Sequence, residues 1–184
     1  MAYSLAFRPD GEVLAVGGYN ITSLWNSRTH DKLTMFTRHL GGGLELWIRC
    51  VDFSPDGNIL AIGGGDNVAN LWDLSDLMAS QKIGRLRHNG DVDFLDFAPD
   101  GQQLAFGGWG RYIRVYDMVT QEIVYWENFE WPIKTGLLSN NGKTLITSSR
   151  NGRIQFWPMP KSVNRVAIQP KNHLSLLWGL SKYH

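Results

Sequence analysis

The amino-acid sequence predicts an all-β protein made of about four repeated units, each with four short antiparallel strands. A Phe-x-Pro-Asp-Gly anchor recurs, and an aromatic residue in an apolar stretch follows each anchor glycine after 14 or 15 residues. Turn-forming glycine and proline recur between the apolar runs, which is typical of many short strands. The anchors are Phe7–Gly11, Phe53–Gly57, Phe97–Gly101 and, more loosely, Leu138–Gly142.

Each element of a unit follows from local chemistry, as the first unit shows. An apolar stretch at 4–7 runs into Pro9-Asp10-Gly11. Proline presets φ there and glycine accepts a positive φ, so the chain turns tightly and returns. The second strand is the apolar run 13–16, closed by a glycine pair; the third carries Trp25, and 32–36 forms the fourth. Four strands in about 40 to 45 residues is a recognised repeat period.

The anchor positions divide the chain into four units and a tail. We predict units at about 1–36, 37–80, 81–126 and 127–157, followed by a basic tail at 158–184. Residues 1–130 carry a charge of −7 and residues 131–184 a charge of +8. The tail is interpreted as a degenerate half-unit, a strand donated to a neighbour or a frayed end. We expect the basic end to pack on acidic first units of another segment or chain.

Composition excludes several classes of protein. The 43% hydrophobic and 12% aromatic content is incompatible with a disordered chain. No apolar run is long enough for a membrane span, no signal peptide is recognisable at the start, and the single Cys50 excludes an internal disulfide framework. The sequence therefore predicts a cytoplasmic protein without a membrane partner, with Cys50 as a buried thiol.

No motif predicts catalysis, a cofactor or a metal. The Asp-Gly pairs are what tight turns require. Gly142-Lys143-Thr144 lacks the earlier glycine of a phosphate-binding loop, because Leu137 occupies that position. No two histidines have the spacing of metal ligands. The bases from Lys134 to Lys182 are dispersed among apolar residues, which disfavours nucleic acid as a partner.

Phe53-Ser54-Pro55-Asp56-Gly57 and Leu71-Trp72-Asp73, together with their counterparts, resemble the WD-repeat family over about residues 4–157. The resemblance implies a β-propeller, with about four blades and a partial fifth in the tail, as an incomplete ring. It also implies a hydrogen-bonded set of His, Ser or Thr, Asp and Trp in each blade. Residues at these structural positions are Trp25, Asp66, Trp72, His88, Tyr116 and Trp157.

No unit has the complete set. His39 is the only candidate histidine of the second unit, Gly110 replaces the Asp of the third, and Phe129 replaces the His of the fourth. In the fourth unit, Ser148 or Ser149 would accompany Asn151 and Trp157. We therefore expect apolar packing to hold the blades.

In this family, partners dock on the face made by the segments before each first strand and by the turns between second and third strands. Candidates at those positions are Trp47, Arg49, Asp91, Asp93, Trp109, Lys134 and Arg150. The resemblance implies a non-catalytic protein-interaction scaffold that is part of a larger propeller or closes by self-association. The alternatives are a propeller enzyme with a central-channel site and an incomplete fragment without independent function.

Overall fold

The protein is a row of four β-sheets. The computed structural model describes residues 1–37 and 47–159. The strands are β1 (Ala2–Phe7), β2 (Val13–Gly18), β3 (Ile21–Asn26), β4 (Lys32–Thr37), β5 (Ile48–Phe53), β6 (Ile59–Gly64), β7 (Val68–Asp73), β8 (Gln81–Arg87), β9 (Val92–Phe97), β10 (Gln103–Gly108), β11 (Tyr112–Asp117), β12 (Glu122–Asn128), β13 (Ile133–Leu138), β14 (Thr144–Ser149) and β15 (Ile154–Pro158).

Each sheet is an antiparallel blade whose strands follow chain order. Blade one is β1–β4, blade two β5–β8, blade three β9–β12, and blade four has the three strands β13–β15. This confirms the predicted all-β blade architecture, while the partial fifth blade falls outside the described residues. The boundary predicted between 80 and 81 assigns β8 to the third blade. In the structure β8 belongs to the second blade, because it pairs with β7.

The core lies between blades rather than inside them. One apolar cluster joins blades one and two, a second joins blades two and three, and a third joins blades three and four. Fully buried alanines occupy the same second-strand position in the first three blades, at Ala15, Ala61 and Ala105. Blade four has Ile146 at that position. The small side chains let each blade accept the larger residues of the next one.

The two outermost faces of this row are uncovered in the described part of the chain. Phe7 of β1 is 61% exposed, whereas its counterpart Phe53 in β5 is 5% exposed against blade one. On blade four, Leu137, Ile146 and Phe156 form one cross-strand row, and the two outer members are exposed. The four described blades therefore form an open row, as the sequence predicts.

Two carboxylates tie neighbouring first strands together. Asp52 Oδ2 in β5 accepts the backbone N–H of Phe97 at 2.8 Å, and Asp96 Oδ2 in β9 accepts that of Leu138. Burial raises the pKa of Asp52 to about 7, with a contribution from the nearby Asp96, and raises that of Asp96 to about 6. Both aspartates immediately precede the anchor residue of their unit, a recurrence that the sequence analysis missed.

The exposure difference between equivalent phenylalanines predicts unequal effects of truncation. Phe53→Ala removes a buried ring and is expected to lower the free energy of unfolding by about 3–5 kcal/mol. Phe7→Ala is expected to cost less than about 1 kcal/mol, because most of that ring already contacts solvent. Urea unfolding of both variants measures the difference. Equal losses would show that the face of blade one is covered in solution.

The raised pKa values predict that stability falls as pH rises. In the folded chain, Asp52 and Asp96 hold a proton more tightly than their usual pKa of 3.8 allows in the unfolded chain. Their stabilising contribution is complete below about pH 4 and is lost as pH rises through the two folded-state pKa values. Where only the folded state binds the proton, each carboxyl lowers the free energy of unfolding by about 1.4 kcal/mol per pH unit.

Urea unfolding from about pH 5 to pH 8 tests this dependence, with Asp52→Asn as the informative variant. Asparagine retains an acceptor for the Phe97 N–H and does not ionise, so the pH dependence should become shallower. The exposed Asp31→Asn serves as the control and should leave the slope unchanged. A wild-type stability that rises across this range would contradict the prediction.

Candidate partner-binding surface

One face of the row, here called the upper face, is made by the segment before each first strand and the turn between second and third strands. A backbone hydrogen bond joins the two parts in three blades. Gly65 N–H donates to Trp47 O at 3.1 Å, Trp109 N–H to Asp91 O at 3.0 Å, and Arg150 N–H to the carbonyl before β13 at 3.0 Å. The Pro-Asp-Gly turns lie at the opposite ends of the strands, on the lower face. The repeat therefore places equivalent positions of successive blades side by side.

An ion-pair network crosses from blade two to blade three on the upper face. Arg49 Nη2 lies 2.6 Å from Asp91 Oδ2, and Arg49 Nη1 lies 3.0 Å from Asp93 Oδ1. The Asp93 side chain is only 3% exposed. Arg49 thus neutralises two carboxylates at once and fixes the relative position of β5 and β9 at this end.

Asp93 also lies in the field of two cations from blade four. Burial raises its pKa, and the positive charges of Arg49, Lys134 and Arg150 oppose that shift. Within the described part of the chain, the buried Asp93 Oδ2 and Arg49 Nε have no hydrogen-bond partner. The carboxylate is therefore held mainly by the charges around it.

Two tryptophans flank this charged network. The Arg49 guanidinium carbon lies 5.9 Å from the ring centroid of Trp47, and that ring stacks on Tyr3 at 5.9 Å. The Arg150 guanidinium carbon lies 4.2 Å from the centroid of Trp109, which is 51% exposed. The structure thus joins Trp47, Arg49, Asp91 and Asp93 through direct contacts and places Arg150 on Trp109, while Lys134 acts on Asp93 through its charge. Tyr3 stands at the same repeat position as Arg49, Asp93 and Lys134 but was not among the residues that the sequence predicts for this surface.

A close backbone approach explains the glycine at position 110. A Cβ atom at Gly110 would lie 2.7 Å from the carbonyl carbon of Asn89, and one at Gly90 would meet the backbone of Gly110. No side chain fits there, so the usual aspartate is excluded. The approach brings the turn that carries Trp109 against the segment that carries Asp91.

The residues predicted at the structural positions of the blades make different contacts from one blade to the next. Both ring nitrogens of buried His88 face carbonyls, that of Gly90 at 2.9 Å and that of Tyr112 at 3.0 Å. Asp66 Oδ1 accepts the Val68 N–H at 3.2 Å and shapes the turn before β7. Tyr116 is partly buried, which raises its pKa. These contacts belong to the scaffold and not to the exposed network.

The three blade tryptophans also differ. Trp25 Nε1 donates to Ser23 Oγ at 2.8 Å, and the Trp72 ring lies 4.5 Å from that of Phe36. In blade four, Trp157 Nε1 donates to Thr147 Oγ1 at 2.9 Å. The expected hydroxyl was that of Ser148 or Ser149, which is wrong for this bond. Ser149 instead donates to Asn151, at 2.6 Å.

The remaining sequence predictions concern metal, thiol and membrane chemistry. No group of three or more His, Cys, Asp or Glu side chains that could hold a metal occurs in residues 1–37 and 47–159. Cys50 is buried and its thiol donates to Val92 O at 3.3 Å. Across the same residues, no helix has the length and apolar character needed to cross a membrane. The predicted His39 lies outside the described residues.

Comparison with known proteins gives one family. The family model described as "WD domain, G-beta repeat" matches residues 31–73 and 80–117. Each match spans the fourth strand of one blade and the first three strands of the next. No curated protein matches the chain.

The buried pairing of Asp93 predicts that Arg49→Gln destabilises the fold. Removing the cation leaves a buried carboxylate without its partner, a loss we place at about 1–3 kcal/mol because Arg49 is partly solvated. Asp93→Asn in the same chain removes the orphaned charge and should recover part of that loss. Arg28→Gln, at a pair with Glu12 in which the arginine side chain is 79% exposed, is the matched control. Equal costs of Arg49→Gln and Arg28→Gln in urea unfolding would contradict this account.

Proposed function

Because this chain is a member of the WD-repeat family, whose repeats generally serve as protein-interaction scaffolds, we propose that it is a non-catalytic scaffold whose upper face receives a protein partner. The main support is the network of contacts on that face. Seven residues from three blades stand at the positions where the WD-repeat resemblance implies partner contacts. Ion pairs and a ring contact join Trp47, Arg49, Asp91 and Asp93, and Arg150 lies over Trp109 beside them.

The residue types in the network favour binding over catalysis. Tryptophan and arginine are the side chains that most often anchor protein interfaces, since they bring a large contact area and strong polar contacts. Trp47 and Trp109 are both about half exposed, and each lies beside an arginine. The carboxyls with the most strongly raised pKa values, Asp52 and Asp96, bind backbone N–H groups between blades, which is a structural role.

A second association is supported by the uncovered end faces. Leu5 and Phe7 on blade one and Phe156 on blade four are exposed at positions that interior blades bury. Leu137 of blade four is exposed where interior blades hold Asp52 and Asp96. Apolar faces of this kind are stable when a further blade covers them. Further blades of a longer protein, or a second copy of this chain, would complete the ring.

To test the scaffold proposal, the full chain is immobilised and the amount of captured protein that it retains is measured. Trp109→Ala and Arg150→Ala should each weaken retention of a captured protein about fivefold to thirtyfold, because they remove interface anchors of the size found at hot spots. Met78→Ala and Val119→Ala lie in exposed lower-face loops and should leave retention unchanged. Equal losses from upper-face and lower-face variants would overturn the proposal.

A further inference from the structure

On the upper face, Arg49 covers the two carboxylates of blade three, whereas the cations Arg111, Lys134 and Arg150 are exposed. Arg49 holds both Asp91 and Asp93, and the Asp93 side chain is buried. Lys134 and Arg150 are exposed, and among the described residues neither forms an ion pair or a side-chain hydrogen bond. A ligand approaching Trp109 therefore meets positive charge first, while the exposed carboxylate of Glu130 lies 3.8 Å from Arg153.

Arg150 is held in a position suited to binding an anion. Its guanidinium lies over the Trp109 ring at 4.2 Å, so the aromatic face occupies one side of the planar group. The N–H donors at the edge of a stacked guanidinium remain free to bind a carboxylate, and stacking limits the rotamers that must be ordered on binding. The exposed part of Trp109 adds apolar area beside those donors.

The buried oxygen of Asp93 argues against a cationic ligand. Asp93 Oδ2 has no hydrogen-bond partner within the described residues, and a lysine or arginine from a partner would satisfy it only by entering the buried pair. Such a ligand would also meet Lys134 and Arg150, whose charges already act on Asp93. An anionic group at the surface avoids both costs.

Three exposed cations, Arg111, Lys134 and Arg150, are fewer than a nucleic acid requires. A phosphate backbone is bound through several cations at once. In this part of the described surface, Arg49 is occupied by two aspartates, and Arg153 lies 3.8 Å from Glu130. These three cations and the exposed ring of Trp109 suit a short acidic segment better than a polyanion.

We infer that the upper face binds an acidic peptide segment, with a carboxylate at Lys134 and Arg150 and an adjacent apolar side chain against Trp109. This inference rests on the proposed scaffold function and specifies the chemistry of its partner. The acidic segment comes from another protein; binding to a second copy of this chain is an alternative result of the test.

Fluorescence anisotropy with a labelled peptide of alternating Glu and Leu residues tests this directly. The full chain should bind the acidic peptide and should not bind the same peptide with Lys in place of Glu. Lys134→Gln and Arg150→Gln should each weaken binding about twofold to fivefold, the loss expected for one exposed charge contact. Arg28→Gln removes an exposed arginine from the lower face and is the control for net charge.

Several results would overturn the inference. Equal affinity for the acidic and Lys peptides would do so, as would equal losses from Arg28→Gln and Arg150→Gln. Tighter binding of a single-stranded oligonucleotide through the same two residues would assign the face to phosphates, and a concentration-dependent mass doubling that Arg150→Gln abolishes would assign it to a second copy. A further result separates the two proposals. If the peptide does not bind but Trp109→Ala still weakens retention of a captured protein, the scaffold proposal is supported and the inference of an acidic partner is wrong.

Discussion

The packing of each blade against the next is the interaction on which the rest of the structure depends. A single four-strand sheet of this size buries little apolar surface by itself, so its stability comes from the clusters shared with neighbouring blades. The same packing aligns successive first strands. Asp52 and Asp96 then reach the backbone of the following blade, and residues from three blades meet on one face.

The alignment of the blades fixes the positions of the upper-face residues but not their residue types. The position four residues before the anchor holds Tyr3, Arg49, Asp93 and Lys134 in the successive blades. The scaffold fixes where these side chains stand, while their types differ from blade to blade. A repeated fold can thus present a surface with no repetition in its charge. The close approach at Gly110 contributes to this, since it brings the Trp109 turn against β9 at the cost of the family's usual aspartate.

Local spacing made the strands and turns predictable, because each depends on a residue's offset from an anchor glycine. The positions of the seven surface candidates came from the resemblance to the WD-repeat family. Contacts between blades were harder to predict from the sequence. Arg49 and Asp93 are 44 residues apart, and their pairing depends on how two sheets are oriented. The blade boundary at β8 was misplaced because the link before that strand carries no anchor. The acceptor for Trp157 was missed because Thr147, Ser148 and Ser149 are chemically similar, and only side-chain direction distinguishes them.

The alanines buried between blades fix the order in which the blades can pack. Ala15, Ala61 and Ala105 leave room for the blade that follows, whereas blade four presents Ile146 at the same position. A permuted chain with blade four in an interior place would force the bulkier side chain into a space shaped for a methyl group, and overpacking of this kind destabilises a core. The units therefore resemble one another in sequence but cannot replace one another in the row. The place of a unit decides how large a side chain its second strand can present to the next blade.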